Sequence, residues 1–211
     1  MSPPYRLYSA KGGGSMIVEV AFTLAGLPFE CHDVEWAQVG PESAVLAPLN
    51  PLGQIPTVVL PDGSVLTESA AIVLHAAEHA PAAELAPRPG DPRRAAFLRW
   101  LVFLNAAVYP TFTYGDDPLR WVEGDEPSAA RLRRSTDAHR EKLLTWLDRE
   151  VVREPWFLGE RFSALDVYLW TISLWRPGRA WFAEHAPRLH AIALAAEALP
   201  AVAAVHARNR S

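Results

Sequence analysis

The sequence has very little cysteine and no long apolar run, and each of these absences excludes a class of protein. Cys31 is the single cysteine among 211 residues, so no disulfide can form within the chain. This composition fits the reducing cytoplasm, where we expect the protein to work. No run of eighteen apolar residues occurs, and the first residues lack the basic and apolar blocks of a signal peptide. We therefore expect neither a membrane span nor secretion.

The sequence also lacks an excess of basic residues and a pattern of metal ligands. The formal net charge is −4, which argues against nucleic acid as the main partner because phosphate binding needs a basic surface. The seven histidines are scattered, and Cys31 has no second cysteine with which to bind zinc. We expect no nucleic-acid partner and no metal. Cys31 itself is expected to be a small buried residue of a strand, not a nucleophile.

The first third of the chain predicts a strand, a helix and a second strand. Tyr5–Tyr8 is a short β-prone run that ends before the glycines at 12, 13 and 14. From Ser15 onward the apolar residues recur every three or four positions, as in an amphipathic helix, and Gly26 is a natural stop. Phe29–Val34 predicts the next strand. The two strands of such a βαβ unit run parallel.

A hairpin and a helix complete the first predicted domain. Thr57–Leu60 and Val65–Thr67 are strand-like runs joined by a turn, so we expect an antiparallel pair. A helix follows over Ser69–Ala77. The order βαβ and then ββα within residues 1–80 predicts an α/β thioredoxin-like N-terminal domain.

The rest of the chain predicts an all-α C-terminal domain, a helical bundle. Residues 81–92 carry four prolines and one glycine, which is typical of a linker. Residues 93–211 lack strong strand signals. We predict long helices over Arg93–Tyr109, which ends near Pro110, and over Ser128–Val152. An apolar helix over Ser163–Leu174 and shorter helices between 179 and 207 complete the prediction.

The segment Asn50–Val58 contains a proline at the entrance to a strand. A cis peptide bond before Pro56 would turn the backbone sharply there. The N–H and C=O of Ile55 would then be free to pair with an extended peptide. The alternative is an ordinary proline-rich loop with a trans bond, and Pro56 alone favours this alternative because most X–Pro bonds are trans.

Glu68 and Ser69 lie where the last predicted strand gives way to a helix. The first N–H groups of a helix are unpaired and carry partial positive charge, so they attract a carboxylate. The Ser69 hydroxyl can donate to such a carboxylate, and Glu68 can accept from an ammonium group. Together they would hold the head group of a free amino acid. The alternative is that Ser69 caps the helix and Glu68 faces water.

With this spacing, and after a βαβ start, these segments resemble the glutathione-transferase family. Leu24–Glu30 resembles the end of the family's first helix and the start of its second strand. The resemblance implies that Glu68 and Ser69 hold the γ-glutamyl end of glutathione and that Ile55 pairs with its cysteinyl part. It also implies that Pro56 corresponds to the family's cis-proline. Glutathione would be the co-substrate. The residues implied to bind it are Gln54, Ile55, Pro56, Glu68, Ser69 and Gly14.

Ser163 and Asp166 open an apolar helix with a spacing of three. Ser163 can cap one backbone N–H while Asp166 returns to cap another, and Phe162 can pack onto Val167. The pattern also resembles the start of the buried core helix in the second domain of this family. We assign it a folding role.

The resemblance fails at the residues that activate the thiol. Aligned through Leu24–Leu27, the family's catalytic serine falls on Gly12 and its catalytic cysteine falls on Gly14. Ser15 is therefore the predicted catalytic residue, although it could equally be the N-cap of the first helix. Backbone N–H groups of the glycines, or an inward-folded Lys11, are the other sources of a donor or charge.

The second substrate is expected to bind an apolar pocket built mainly by the helical domain. Tyr109, Phe112 and Tyr114 cluster with Trp121 around Pro110 and are the predicted lining. A second aromatic cluster lies at Trp170, Trp175, Trp181 and Phe182. Aromatic residues at helical spacing also form ordinary core, so each of them has this alternative role.

Three functions remain open from the sequence. The first is conjugation or exchange of glutathione on a small apolar electrophile. The second is a non-catalytic binder of glutathione or another ligand, which the glycines at 12 and 14 favour. The third is a glutathione-dependent isomerase, against which the absence of a Ser-Ser-Cys run argues. The resemblance also implies a homodimer, with one subunit's first domain packed on the other's helical domain.

Overall fold

The computed structural model describes residues 3–151 and 155–210. A four-stranded sheet has the order β2-β1-β3-β4. The strands are β1 (Tyr5–Ser9), β2 (Phe29–Asp33), β3 (Thr57–Val59) and β4 (Val65–Leu66). β1 pairs parallel with β2, with Leu7 opposite Cys31, whereas β3 runs antiparallel to both β1 and β4. The predicted βαβ unit and hairpin are both confirmed.

Two helices belong to this sheet. α1 (Ser15–Ala25) connects the parallel strands, and α2 (Ser69–His79) follows β4. α1 ends at Gly26, whose φ of 63° is left-handed, as expected for a helix stop. Most of α1 is buried because sheet residues such as Leu7 and Val58 cover one side and helices of the second part cover the other.

The remaining chain is helical. The helices are α3 (Arg94–Phe103), α4 (Tyr109–Asp116), α5 (Glu126–Glu150), α6 (Ala164–Leu174), α7 (Arg179–His185), α8 (Pro187–Glu197) and α9 (Pro200–Arg210). The predicted fold class is confirmed. The predicted end of a helix at Val152, and residues 1, 2, 152–154 and 211 of the predicted domains, lie outside the described residues.

The main difference from the predicted helix boundaries lies at Pro110, whereas α2 and α5 differ from their predicted bounds by about two residues. The helical path does not end near Pro110. A π-helical stretch, Leu104–Val108, leads directly into α4, and Pro110 lies in the first turn of that helix. A wider turn before the proline relieves the clash of its ring with the preceding carbonyls. Proline has no backbone N–H, and this costs nothing in the first turn of a helix, where N–H groups have no intrahelical partner.

Together, Arg94–Asp116 form 23 residues of helix with a mean hydropathy of 1.3, which by length and composition alone would suffice to cross a membrane. The bent pair Pro187–Glu197 and Pro200–Arg210 passes the same test together. In the structure, Phe97, Leu101 and Leu104 of the first segment are buried in the hydrophobic core. Of the apolar window in this segment, 39% is buried, and Val102 is 60% exposed.

Candidate active site

A cavity of about 670 Å³ opens between the sheet and the helical part of the chain. One wall is the glycine turn between β1 and α1, and the second is the loop before β3 together with the start of α2. The third wall comes from the π-helical stretch Leu104–Val108, from α4 and from the chain after α6. The lining residues are Gly12, Gly13, Gly14, Trp36, Val39, Asn50, Gln54, Ile55, Pro56, Thr67, Glu68, Ser69, Asn105, Tyr109, Pro110, Phe112, Thr113, Asp116, Asp117, Trp175 and Arg176.

The loop before β3 presents a free backbone edge to this cavity. The Ile55–Pro56 peptide bond is cis, as the family resemblance implies. Buried Asn50 holds the loop, since its Nδ2 donates to the Gln54 carbonyl at 3.3 Å and to Thr57 Oγ1 at 3.2 Å. The N–H and C=O of Ile55 make no hydrogen bond with another described residue. An extended ligand could therefore pair with them.

Glu68 and Ser69 form the next part of the wall, at the N-terminus of α2. Glu68 is exposed and has φ = 64°, a backbone conformation that residues other than glycine rarely adopt. Ser69 is buried, and its hydroxyl lies 2.7 Å from the Tyr168 hydroxyl and donates to Asn105 Oδ1 at 3.1 Å. Burial raises the pKa of Tyr168 to about 12, so this group stays protonated and can donate to Ser69.

Asn105 and Tyr168 were not identified from the sequence. Both come from the helical part, 36 and 99 residues from Ser69 along the chain. The one available signal for Asn105 was an amide within an otherwise apolar run, where it anchors itself by donating to the Leu101 carbonyl at 2.8 Å. Their two contacts fix the position of the Ser69 hydroxyl in the cavity wall.

The glycine turn is fixed by the far end of the chain. The Gly12 N–H donates to Asn209 Oδ1 of α9 at 3.1 Å. Its carbonyl accepts from Trp175 Nε1 at 2.8 Å. Gly12 has φ = 74°, which a glycine adopts without penalty.

Ser15, the predicted catalytic residue, is placed away from the cavity lining. It is fully buried as the first residue of α1, and its hydroxyl donates to the Ala10 carbonyl at 3.2 Å. The N-cap position belongs to Gly14, so the alternative role of Ser15 as the N-cap is wrong. Lys11 is exposed and also lies outside the lining. A catalytic role for Ser15 stays a prediction.

Tyr109 faces the glycine turn from the opposite wall. Its ring meets those of Trp175 and Phe112 edge-on, at centroid distances of 5.4 Å and 6.4 Å. Its hydroxyl is buried and has no hydrogen-bond partner among the described residues. Burial raises the pKa of this hydroxyl well above its ordinary value of 10.0, so Tyr109 is neutral at physiological pH.

The aromatic half of the cavity contains part of the predicted pocket. Phe112 and Tyr109 line it, together with Trp175 from the second aromatic cluster. Tyr114 does not line it: the side chain is 43% exposed and packs edge-on against Trp121 instead. Helical periodicity explains this placement, because residues 112 and 114 point to different faces of one helix. Trp170 and Phe182 are fully buried core residues.

The metal-binding residue types and the single cysteine do not add a further site among the described residues. Among residues 3–151 and 155–210, no cluster of three histidine, cysteine or acidic side chains could hold a metal ion. Cys31 is half-buried in β2, and burial raises the pKa of its thiol to about 11. Cys31 is therefore a protonated thiol near neutral pH, which makes it a poor nucleophile.

Comparison with known proteins identifies the family. The family model "Glutathione S-transferase, N-terminal domain" matches residues 15–79. The GST-like protein YncG of Escherichia coli K12, itself uncharacterized, is 39% identical over 205 residues, covering 97% of this chain and 98% of its own. The chain belongs to the glutathione S-transferase family.

Other members of the glutathione S-transferase family extend the likeness. Glutathione S-transferase GST-4.5 of Xanthomonas campestris is 30% identical over 173 residues, 81% of each chain. Among solved structures, a glutathione transferase homolog from Sulfitobacter with bound glutathione has a TM-score of 0.87 at 26% identity, covering 99% of both chains. A sphingomonad glutathione S-transferase complexed with glutathione has a TM-score of 0.80 at 28% identity, covering 97% of this chain and 98% of its own.

Proposed function

We propose that the protein binds glutathione in the 670 Å³ cavity and transfers the glutathionyl group, bonded through its sulfur, to a small apolar electrophile. The observation that carries the proposal is that one cavity joins three features: the free backbone edge at Ile55, the N-terminus of α2 and an aromatic wall. The bound glutathione in the related Sulfitobacter and sphingomonad proteins supports it. Glutathione is then a co-substrate, and no metal is required.

The polar half of the cavity suits the peptide. We place the γ-glutamyl carboxylate at the Ser69 hydroxyl and the first N–H groups of α2, where the helix dipole favours negative charge. The Ser69 hydroxyl would then turn its single proton from Asn105 to the carboxylate while it accepts from Tyr168. The γ-glutamyl ammonium would pair with Glu68, which is exposed to the cavity. The cysteinyl backbone would pair with Ile55, with Gln54 and Pro56 beside it. This arrangement brings the thiol toward Gly14.

The aromatic half suits the second substrate. Tyr109, Phe112 and Trp175 give an apolar surface beside the glycine turn. In a substitution reaction the glutathione thiolate forms a carbon–sulfur bond, and the leaving group departs with the electron pair of the bond that breaks. The thiol proton is released to solvent. Ser15 is the donor to the sulfur that the sequence predicts, and its test is given below.

A non-catalytic glutathione-binding protein is the second candidate. Gly12 and Gly14 offer no side chain where the family usually has one, and Ser15 is engaged with Ala10. Binding and activation of the thiol therefore have to be measured separately.

We also propose that the protein is a cytoplasmic homodimer. The acidic first 80 residues and the more basic remainder would suit a contact between the first domain of one subunit and the helical domain of the other. Val102, 60% exposed on α3, is an apolar residue available for this contact. Sedimentation at several protein concentrations tests it, and a monomer at micromolar concentration would contradict it.

Calorimetric titration with glutathione tests the proposed function. We expect binding, and we expect Ser69→Ala to weaken it about 10- to 100-fold because the carboxylate loses a charge-assisted hydrogen bond. Ser64→Ala is the matched control, since Ser64 is an exposed turn residue whose hydroxyl donates to Asp62. Absence of binding at millimolar glutathione would contradict the proposal.

A further inference from the structure

The space for a side chain at position 14 is occupied by the hydroxyl of Tyr109. A Cβ atom built on Gly14 would lie 2.7 Å from this hydroxyl oxygen, closer than real Cβ atoms come to their neighbours. The next nearest atoms are carbons of the same ring, at 3.4 Å and 3.5 Å. Gly14 and Tyr109 therefore fit each other: the glycine leaves the room that the tyrosine hydroxyl fills.

The Tyr109 hydroxyl has no hydrogen-bond partner among the described residues. It is buried, and buried hydroxyl groups normally find such a partner. The ring is held by Trp175 and Phe112 and also by Tyr168, at a centroid distance of 6.3 Å. The unused donor is therefore fixed in position beside the glycine turn.

The charged groups around the cavity do not supply an alternative. Its lining carries three carboxylates, Glu68, Asp116 and Asp117, and one cation, Arg176. Arg176 already pairs with Asp116 and with Asp137, each at 2.9 Å. These side chains carry more negative than positive charge, so they would not stabilise a thiolate in the cavity. A neutral donor is what it needs.

We propose that the Tyr109 hydroxyl replaces the missing side chain at position 14 and donates a hydrogen bond to the glutathione sulfur. The inference rests on the proposed function. When the thiol ionises, its proton goes to solvent, the electron pair stays on sulfur, and the Tyr109 O–H stabilises the resulting thiolate. Tyr109 keeps its own proton throughout, as its burial requires. Tyr109 is then a catalytic residue contributed by the helical part of the chain.

The test is Tyr109→Phe, which removes the hydroxyl and keeps the ring. The pKa of bound glutathione is read from the ultraviolet absorbance of the thiolate over a pH series. We expect the variant to raise this pKa by about one to two units and to lower kcat at neutral pH about 10- to 100-fold with 1-chloro-2,4-dinitrobenzene, an aryl chloride. Glutathione affinity should change less than threefold, because Ile55, Glu68 and Ser69 are intact.

A matched control and two further variants complete the design. Tyr8→Phe removes a hydroxyl on β1, outside the cavity lining, where the ring stacks on His32, and should change neither quantity. Ser15→Ala removes the competing donor. Gly14→Ala keeps the Tyr109 hydroxyl but pushes it away, so we expect the thiol pKa to rise in this variant too. A circular-dichroism melting curve confirms that each variant is folded.

The outcomes separate this inference from the proposed function. If wild-type protein binds no glutathione, the proposed function fails and the inference falls with it. If it binds glutathione but Tyr109→Phe leaves the thiol pKa unchanged, the inference is overturned and the binding function stands. A rise in the pKa with Ser15→Ala and not with Tyr109→Phe would assign the activation to Ser15.

Discussion

Glu68 has a backbone conformation that costs free energy. Its φ of 64° lies in a region where a non-glycine residue is strained by about 1–3 kcal/mol. The sequence indicates a polar residue before a helix but gives no sign of this geometry. The strain directs the carboxylate and the start of α2 toward the same cavity, which is a reason for the fold to retain it.

Replacing Glu68 should therefore separate stability from binding. We expect Glu68→Gly to raise the free energy of unfolding by about 1 kcal/mol, because relief of strain exceeds the entropy that glycine adds to the unfolded chain. Glutathione affinity should fall about 10-fold or more as the partner of the ammonium is lost. Urea denaturation and calorimetry measure the two effects.

Glu68→Gln is the control for this experiment. It keeps the strained backbone and most of the side chain but loses the charge, so affinity should fall without any gain in stability. A glycine variant that is less stable than wild type would refute the argument from strain.

Elements of this fold could be predicted well where their signals are local. The β-prone run of β1, the helix pattern after Ser15 and the stop at Gly26 depend only on neighbouring residues, and the structure confirms each. Pro110 was misjudged because its tolerance depends on the π-helical turn before it, which no residue pattern announces. A proline normally ends a helix, so the rule itself is sound and the local geometry overrode it.

The capping arrangement of α6 gives an element-scale prediction about pH. Asp166 accepts hydrogen bonds from the backbone N–H groups of Ser163 and Phe157, both at 2.7 Å. Burial nevertheless raises its pKa from 3.8 to about 7, against the lowering effect of these hydrogen bonds. The folded state thus holds a proton that the unfolded state releases between about pH 4 and pH 7.

Stability should decline across that window. The contribution of Asp166 is fully present below pH 3.8 and is lost as the pH rises through about 7. We expect the difference in free energy of unfolding between wild type and Asp166→Asn to shrink by about 2–4 kcal/mol over this range, because the amide does not titrate. Urea denaturation at a series of pH values measures it. A difference that grows with pH would mean that the two N–H donors hold the carboxylate ionised.

At the scale of the whole molecule, the site depends on contacts between distant parts of the chain. Gly12 and Asn209 are 197 positions apart, and Ser69 and Tyr168 are 99 apart. The sequence could predict the residues around Ile55 and Glu68 because their signals are contiguous. It could not predict which far residues hold them, since single-sequence patterns contain no information about such pairs. Tyr109 was predicted to line an apolar pocket. Only the structure shows that its hydroxyl lies beside Gly14.

The last helix, α9, is therefore predicted to matter for the active site and not only for stability. Asn209 binds the Gly12 N–H and also reaches the buried carboxylate of Glu19, which Arg208 pairs at 3.2 Å. We expect Asn209→Ala to lower the free energy of unfolding by about 1–2 kcal/mol and kcat/KM about 10-fold, because the glycine turn loses its anchor. Arg210→Ala, at an exposed position of the same helix, is the control and should leave both unchanged. Urea denaturation and steady-state kinetics provide the readouts. Loss of stability with unchanged kcat/KM would show that α9 supports the fold without positioning the turn.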